Sequence, residues 1–179
     1  GIEKGAQRAA EGMETGHNHT HHGVNLAIEN STSSVGRAIY NESKMFYRPS
    51  RIFENLDDLN FEEKAIDMGN GILIYTYFFR SESPKANIFL VHGNGGNVST
   101  YKDMIKTLVA GNYNVYAVDW RGYGKSTGQP EYRGVLKDTE AAFDDFISRV
   151  RSDSLKKIVY GMSLGGQIAT KLVSDRQQD

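Results

Sequence analysis

The sequence predicts an α/β fold: a three-layer α/β/α arrangement around a mostly parallel sheet, with an antiparallel hairpin formed by its N-terminal strands. Short β-branched and aromatic runs alternate with segments of helical periodicity over the second half of the chain. Two consecutive strand–helix–strand connections require parallel strands with helices packed on the faces of the sheet. An Asn70-Gly71 pair, a strong hairpin signal, separates two strand-like runs that precede them.

Three strands are expected before the first helix. Residues 61–68 alternate weakly between apolar and polar side chains, and residues 72–79 are β-branched and aromatic. Residues 86–91 form a short, nearly continuous apolar run, which is typical of a strand buried on both faces. The pattern therefore opens as β-β-β.

Three helices and two strands follow in alternation. The first helix carries apolar residues at positions i, i+3, i+4, i+7 and i+8, namely Tyr101, Met104, Ile105, Leu108 and Val109. A strand over residues 115–120, a helix over residues 132–151 and a strand over residues 157–160 come next. The last helix begins near Leu164, which completes the order β-β-β-α-β-α-β-α.

Composition excludes several function classes. A length of 179 residues fits one domain, and a net charge of −1 provides neither a basic surface for nucleic acid nor a polybasic membrane patch. No stretch reaches the apolar length of a membrane-spanning helix, so the chain as given is expected to be soluble. The absence of cysteine excludes disulfides, thiolate metal sites and a cysteine nucleophile.

The first 45 residues differ from the rest of the chain. They are rich in Gly, Glu, Asn, Ser, Thr and His and weakly periodic, so we expect a largely disordered polar tail over residues 1–45 and a domain over residues 46–179. The tract of residues 16–23 contains four histidines. It is interpreted either as a tag-like, solvated segment or as a metal-binding tract. The first interpretation is favoured because the spacing matches no structural zinc pattern, and no metal or cofactor site is assigned.

The strongest chemical motif is the segment of residues 161–166, which reads GMSLGG. It is a G-x-S-x-G pattern that follows a strand-like run and precedes a helix, the setting in which a sharp turn exposes a serine hydroxyl. Glycines on both sides allow a strained backbone and close packing. Ser163 is therefore the candidate nucleophile, with the N-terminus of the next helix directed at the same spot.

A second motif supplies candidate hydrogen-bond donors. The strand over residues 86–91 runs into residues 92–97, HGNGGN. In acyl transfer, N–H groups directed at the developing oxyanion lower the barrier. One donor is expected to be the N–H of Leu164, and the other comes from this loop, from Asn94 or, as the second choice, Gly95.

His92 and Asp119 are interpreted as structural residues. Each lies at the end of a predicted strand, where His92 is expected to fix the shape of the glycine loop. Asp119 is expected to hold the turn of residues 121–124. The chain's five histidines all precede Ser163, and a catalytic serine needs an adjacent base, usually a histidine oriented by a carboxylate. We therefore expect a nucleophile and an oxyanion hole without a complete triad.

Three motifs in order, residues 92–97, 119–126 and 161–166, resemble the α/β-hydrolase superfamily, most closely its serine esterase, acylglycerol lipase and aminopeptidase-like branches. The resemblance covers about residues 46–179. It implies Ser163 as nucleophile, the Asn94 and Leu164 amides as oxyanion hole, and a small-molecule acyl substrate, an ester, thioester or amide. It also implies about eight strands, with the acid and the histidine after the later ones. The fold is thus expected to be incomplete, truncated after the nucleophile helix, and the chain as given is expected to be inactive.

A second function remains open from the sequence. A non-catalytic α/β-hydrolase-like module used for binding or assembly fits the same motifs, because a truncated sheet leaves one strand edge uncapped. Self-association through that edge is the corresponding expectation. A third possibility is complementation by a separate chain that carries the acid and the histidine.

Overall fold

The computed structural model describes residues 34–176 of the chain. Four helices, seven strands and one 3₁₀ helix are found in this range. In chain order they are α1 (Ser34–Phe46), β1 (Arg48–Pro49), β2 (Phe61–Asp67), β3 (Leu73–Phe79), β4 (Ala86–Val91), β5 (Gly95–Gly96), the 3₁₀ helix (Val98–Tyr101), α2 (Lys102–Ala110), β6 (Tyr113–Asp119), α3 (Tyr132–Val150), β7 (Lys156–Gly161) and α4 (Leu164–Arg176).

The main sheet has five strands in the order β2-β3-β6-β4-β7. β2 pairs with β3 and β3 with β6 in antiparallel register, whereas β4 lies parallel to both β6 and β7. Four of the five strands therefore run in one direction. The sheet confirms the predicted parallel core and antiparallel hairpin, whose turn includes Asn70 at a φ of 53°.

Two hydrophobic cores lie on opposite faces of the sheet, as alternation along each strand requires. On one face, side chains of α3 and α4, including Phe146 and Leu172, pack with Phe89 and Tyr116. On the other face, Ile105 of α2 packs with a second group, namely Leu56, Tyr77, Phe79, Leu90, Val98, Val115 and Ala117. β4 is buried along its whole length, as its continuous apolar run predicts. This is the expected three-layer α/β/α arrangement.

Helix α1 corrects the expected boundary of the N-terminal tail. Disorder was expected up to residue 45, and this is wrong for residues 34–45, which belong to α1. Its polar sequence folds because tertiary contacts stabilise it: Ser43 is buried and donates a hydrogen bond to Gln129 Oε1 at 2.8 Å. Tyr47, just after the helix, is buried in the core. The histidine tract of residues 16–23 lies outside the described residues.

A short two-stranded sheet ties this N-terminal segment to the glycine loop. β1 pairs in parallel with β5, so that Arg48 lies opposite Gly95. The Ser50 N–H extends the pairing by donating to the Gly96 carbonyl at 3.0 Å. As a result, the loop that follows β4 is held by a segment some 45 residues earlier in the chain.

Over residues 34–176, no helix combines the length and apolar character that crossing a bilayer requires. The same part of the chain contains no group of three or more His, Cys, Asp or Glu side chains arranged to hold a metal ion.

Candidate functional site

Ser163 lies in a sharp turn between β7, which ends at Gly161, and α4, which begins at Leu164. Its φ is 51°, in the left-handed region that residues other than glycine rarely adopt. The Gly165 N–H donates to the Met162 carbonyl at 2.8 Å, and the next amide donates to the Ser163 carbonyl at 2.9 Å. Ser163 is exposed. The strained backbone thus presents its hydroxyl at the surface.

Two glycines of the motif are required by close packing. A Cβ at Gly161 would lie 2.5 Å from the Gly165 carbonyl oxygen, and a Cβ at Gly165 would lie 2.1 Å from that of His92. Both obstacles are backbone atoms, which side-chain rotation cannot move. Gly166 differs, because a Cβ there would meet nothing closer than 3.5 Å. The turn therefore needs Gly161 and Gly165 on steric grounds.

The glycine loop after β4 lies next to the serine turn. The Met162 N–H donates to the Val91 carbonyl at 3.1 Å, which carries the pairing of β4 and β7 to the start of the turn. A Cβ at Gly93 would lie 3.7 Å from the Ser163 Cβ. Asn94, Ser163 and Leu164 line one open cleft of about 560 Å³. The structure thus brings together the three residues that the sequence singled out.

The Asn94 side chain connects three parts of the chain. Its Oδ1 accepts hydrogen bonds from the Arg48 N–H at 3.1 Å and from the Tyr123 hydroxyl at 2.8 Å. Its Nδ2 donates to the Phe46 carbonyl at 2.7 Å. The Tyr123 hydroxyl also lies 2.9 Å from the Asn94 carbonyl oxygen. With the side chain engaged in this way, the group that Asn94 offers to a ligand is its backbone N–H.

The N-terminus of α4 adds a favourable electrostatic field at the cleft. Leu164 is the first residue of this helix, so its N–H is one of the amides that have no acceptor within the helix. The aligned peptide dipoles place partial positive charge at this end. The cleft is therefore suited to an oxygen that carries negative charge.

His92 is buried behind the glycine loop and does not line the cleft. Its Nδ1 lies 2.6 Å from the Gly93 carbonyl oxygen, and its ring centroid lies 4.3 Å from that of Trp120. Burial lowers the pKa of His92 to about 4, so the ring is neutral at pH 7. These contacts fit a residue that fixes the shape of the loop.

Asp119 is also fully buried, and its carboxylate holds the glycine-loop side of the site. Oδ1 accepts from the Val98 N–H at 2.7 Å, and burial raises the pKa of Asp119 to about 7. Its Oδ2 packs against Gly124 of the turn that it was expected to hold, where a Cβ would lie 2.2 Å from that oxygen. Its backbone carbonyl accepts from the Ser126 hydroxyl, just after this turn, at 2.7 Å. Arg121 in that turn is held instead by the buried Asp138, at 3.0 Å from Nε and 2.7 Å from Nη2.

The sequence analysis did not identify one wall of the cleft. This wall comes from α1 and the residue after it, from the start of α3 and from α4, and consists of Glu42, Phe46, Tyr47, Tyr132 and Gln167. Because residues up to 45 were expected to be largely disordered, the sequence did not indicate that Glu42 lines a site. Of the five, Phe46 and Tyr47 lie at the expected start of the domain.

Comparison with known proteins bears on what this site does. The family model described as serine aminopeptidase, S33, matches residues 82–179, which is more than half of the chain. The protein YfhR of Salmonella typhi is 33% identical over 129 residues, which make up 72% of this chain and 44% of YfhR. A lysophosphatidylserine lipase of Bos taurus is 36% identical over 88 residues, 48% of this chain and 22% of the lipase. The chain thus spans less than half the length of these curated relatives.

A solved structure with a similar fold supports the family match. The esterase Pf2001 of Pyrococcus furiosus superposes with a TM-score of 0.58 at 22% identity, over 73% of this chain and 52% of the esterase. The parallel core, the antiparallel hairpin and the family match all indicate an α/β-hydrolase fold. The chain belongs to the serine aminopeptidase S33 family of α/β hydrolases.

Proposed function

We propose that this protein is a serine hydrolase in which Ser163 forms an acyl-enzyme with an ester, thioester or amide substrate. The observation that carries the proposal is the exposed Ser163 at a φ of 51°, in one cleft with Asn94 and Leu164. A left-handed serine costs about 1–3 kcal/mol and persists only where the surroundings enforce it. Here the strain has a function, because it directs the hydroxyl toward the substrate.

In the proposed reaction, Ser163 Oγ attacks the carbonyl carbon and transfers its proton to a base. The N–H groups of Leu164 and Asn94 donate to the oxyanion that forms. The bond to the leaving group then breaks, the leaving group takes up the proton, and water hydrolyses the acyl-enzyme. Each oxyanion donor is worth about 3 kcal/mol in barrier height.

The base must come from outside residues 34–176. Within this range His92 is the one histidine; it is buried and does not line the cleft, and its Nδ1 is engaged by the Gly93 carbonyl. Two of the similar proteins, the lysophosphatidylserine lipase of Bos taurus and the esterase Pf2001, are named for hydrolysis of acyl compounds, which supports this reaction class.

The reaction of the serine with an alkyl fluorophosphonate tests this proposal. Ser163 Oγ forms a bond to phosphorus and fluoride leaves, which intact mass and peptide mapping detect. We expect slow labelling of the chain alone and faster labelling with added imidazole, which supplies a base. S163A should abolish the labelling, whereas S174A, which removes another exposed serine on α4, should not change it. Equal labelling of wild type and S163A would overturn the proposal.

A second candidate function is assembly with another copy of the chain through β7. Among the described strands, β7 is an edge of the main sheet, and its Ile158 and Tyr160 remain 39% and 43% exposed, whereas β4 is fully buried. Exposed apolar edge strands pair readily with other chains. Sedimentation velocity tests this: a dimer that I158K dissociates supports assembly, and a monomer at all concentrations contradicts it.

A further inference from the structure

The cleft beside Ser163 has an uneven distribution of charge. Its lining contains one carboxylate, that of Glu42, and no lysine or arginine. The remaining lining is aromatic, aliphatic or neutral and polar: Phe46, Tyr47, Tyr132, Leu164, Asn94, Gln167 and Ser163. A ligand in this cleft therefore meets one full negative charge, contributed by α1.

The charge of Glu42 is not neutralised by an ion pair within the described residues. Its Oε1 accepts one hydrogen bond, from the Tyr132 N–H at 2.7 Å, and residues 34–176 provide no cationic partner. Glu131, a nearby carboxylate, has a different environment. It lies 3.7 Å from the Arg121 guanidinium and accepts from the Arg133 N–H at 2.9 Å.

The field of Glu42 reaches the aromatic part of the wall. The pKa of the Tyr47 hydroxyl is raised, first by burial, then by the negative charge of Glu42 and that of Glu131. Arg48, the first residue of β1, does not line the cleft. Its guanidinium donates to backbone carbonyls, at 2.9 Å to that of Tyr47.

Aromatic rings next to a carboxylate form a favourable environment for an ammonium group. A cation over a ring face is attracted by the ring quadrupole, and the attraction adds to the Coulomb term of the carboxylate. An anionic group in the same position is repelled by that carboxylate, and the lining offers it no lysine or arginine. The amides at the N-terminus of α4 favour negative charge only on the side of the cleft next to Ser163.

We propose that Glu42 sets the charge selectivity of the cleft, so that it accepts acyl substrates bearing an alkylammonium group and rejects anionic ones. This inference rests on the proposed hydrolase function, because it concerns the substrate of Ser163. It makes Glu42 a specificity-determining residue contributed by the N-terminal helix α1.

Binding of two probes of similar size tests it without catalysis. Benzyltrimethylammonium and benzenesulfonate are titrated into the full chain and followed by amide chemical shifts of Leu164 and Gln167. We expect the cation to bind about tenfold or more tightly than the anion, a difference of about 1.4 kcal/mol. E42Q keeps an oxygen acceptor for the Tyr132 N–H and should reduce the ratio to about 1–3. E82Q is the matched control, because Glu82 is exposed in the loop before β4 and does not line the cleft, and it should leave the ratio unchanged.

Several outcomes would overturn the inference: an unchanged ratio in E42Q, equal binding of both probes to the wild type, or shifts that map away from the cleft. The wild-type mapping keeps the test valid if E42Q does not fold. S163A should retain the preference for the cation. Since labelling of Ser163 is measured separately, a failure of the charge selectivity and a failure of the hydrolase function remain distinguishable.

Discussion

Gly165 lies against the carbonyl oxygen of His92, so closely that a Cβ at position 165 would come within 2.1 Å of that oxygen. The first turn of α4 therefore rests directly on the end of β4. This contact couples the turn that carries Ser163 to the loop that carries Asn94, and it explains how two segments some 70 residues apart form one cleft.

Alanine substitutions of two adjacent glycines test this coupling. G165A forces backbone atoms apart and should lower the free energy of unfolding by at least about 2 kcal/mol. G166A has room for its methyl group and should be neutral or stabilising by up to about 1 kcal/mol, because alanine is the better helix former. Urea denaturation measures both. Equal effects of the two substitutions would contradict the packing described here.

The strain at Ser163 predicts a difference between S163G and S163A. Glycine adopts a φ of 51° without a steric penalty, whereas alanine has the same steric penalty as serine at this φ. We expect S163G to be about 1 kcal/mol more stable than S163A in urea denaturation, although both lose the hydroxyl. If S163A is the more stable of the two, the serine backbone is not strained as described.

The buried residues His92 and Asp119, whose Nε2 and Oδ1 lie 3.7 Å apart, predict opposite pH dependences. For His92, burial lowers the pKa from an ordinary 6.5 to about 4, so the unfolded state binds more protons between these values. Its contribution to stability is present above about pH 6.5 and is lost as the pH falls toward 4. For Asp119, burial raises the pKa from 3.8 to about 7. Its contribution therefore grows as the pH falls from 7 toward 4, because the folded state binds more protons.

Two variants separate these contributions. D119N keeps an oxygen acceptor for the Val98 N–H, and the wild type should become more stable relative to D119N as the pH falls from 7 to 4. Relative to H92Q, the advantage of the wild type should shrink over the same range. Urea midpoints at four pH values between 4.5 and 7.5 provide the measurement. Differences that do not change with pH would show that neither group has a shifted pKa.

The pair formed by Asp138 and Arg121 should contribute strongly to stability. Asp138 is fully buried, and it also accepts from the Arg121 N–H at 2.8 Å. D138A leaves the largely buried guanidinium with only Glu131, at 3.7 Å, and should cost about 3–5 kcal/mol. D175A removes the partner of Lys171 in an exposed pair on α4 and should not change the urea midpoint. A small effect of D138A would contradict a structural role for this pair.

The sequence predicted much of the fold because its signals are local. The apolar run of β4 has the predicted bounds, residues 86–91, and the glycines around Ser163 mark the turn. In both cases the neighbouring residues alone determine the pattern: continuous apolar side chains for a buried strand, and small residues where the backbone must turn.

The parts that were missed depend on contacts between distant residues. Helix α1 is polar, and Glu42 accepts a hydrogen bond from the Tyr132 N–H, 90 residues further along the chain. In the sequence, Asp138 does not differ from other acidic residues on a helix; in the fold, it binds Arg121 of a distant turn. Such roles require knowledge of the folded chain, because the same residue types are usually exposed elsewhere.

The structure of the phosphonylated protein tests the central claim most directly. After reaction with an alkyl fluorophosphonate in the presence of imidazole, a crystal structure shows where the phosphorus is bound and where its oxygen lies. The account predicts phosphorus on Ser163 Oγ, with the phosphoryl oxygen about 2.7–3.1 Å from the backbone nitrogens of Leu164 and Asn94. Phosphorus on another side chain, or an oxygen directed away from both amides, would contradict it.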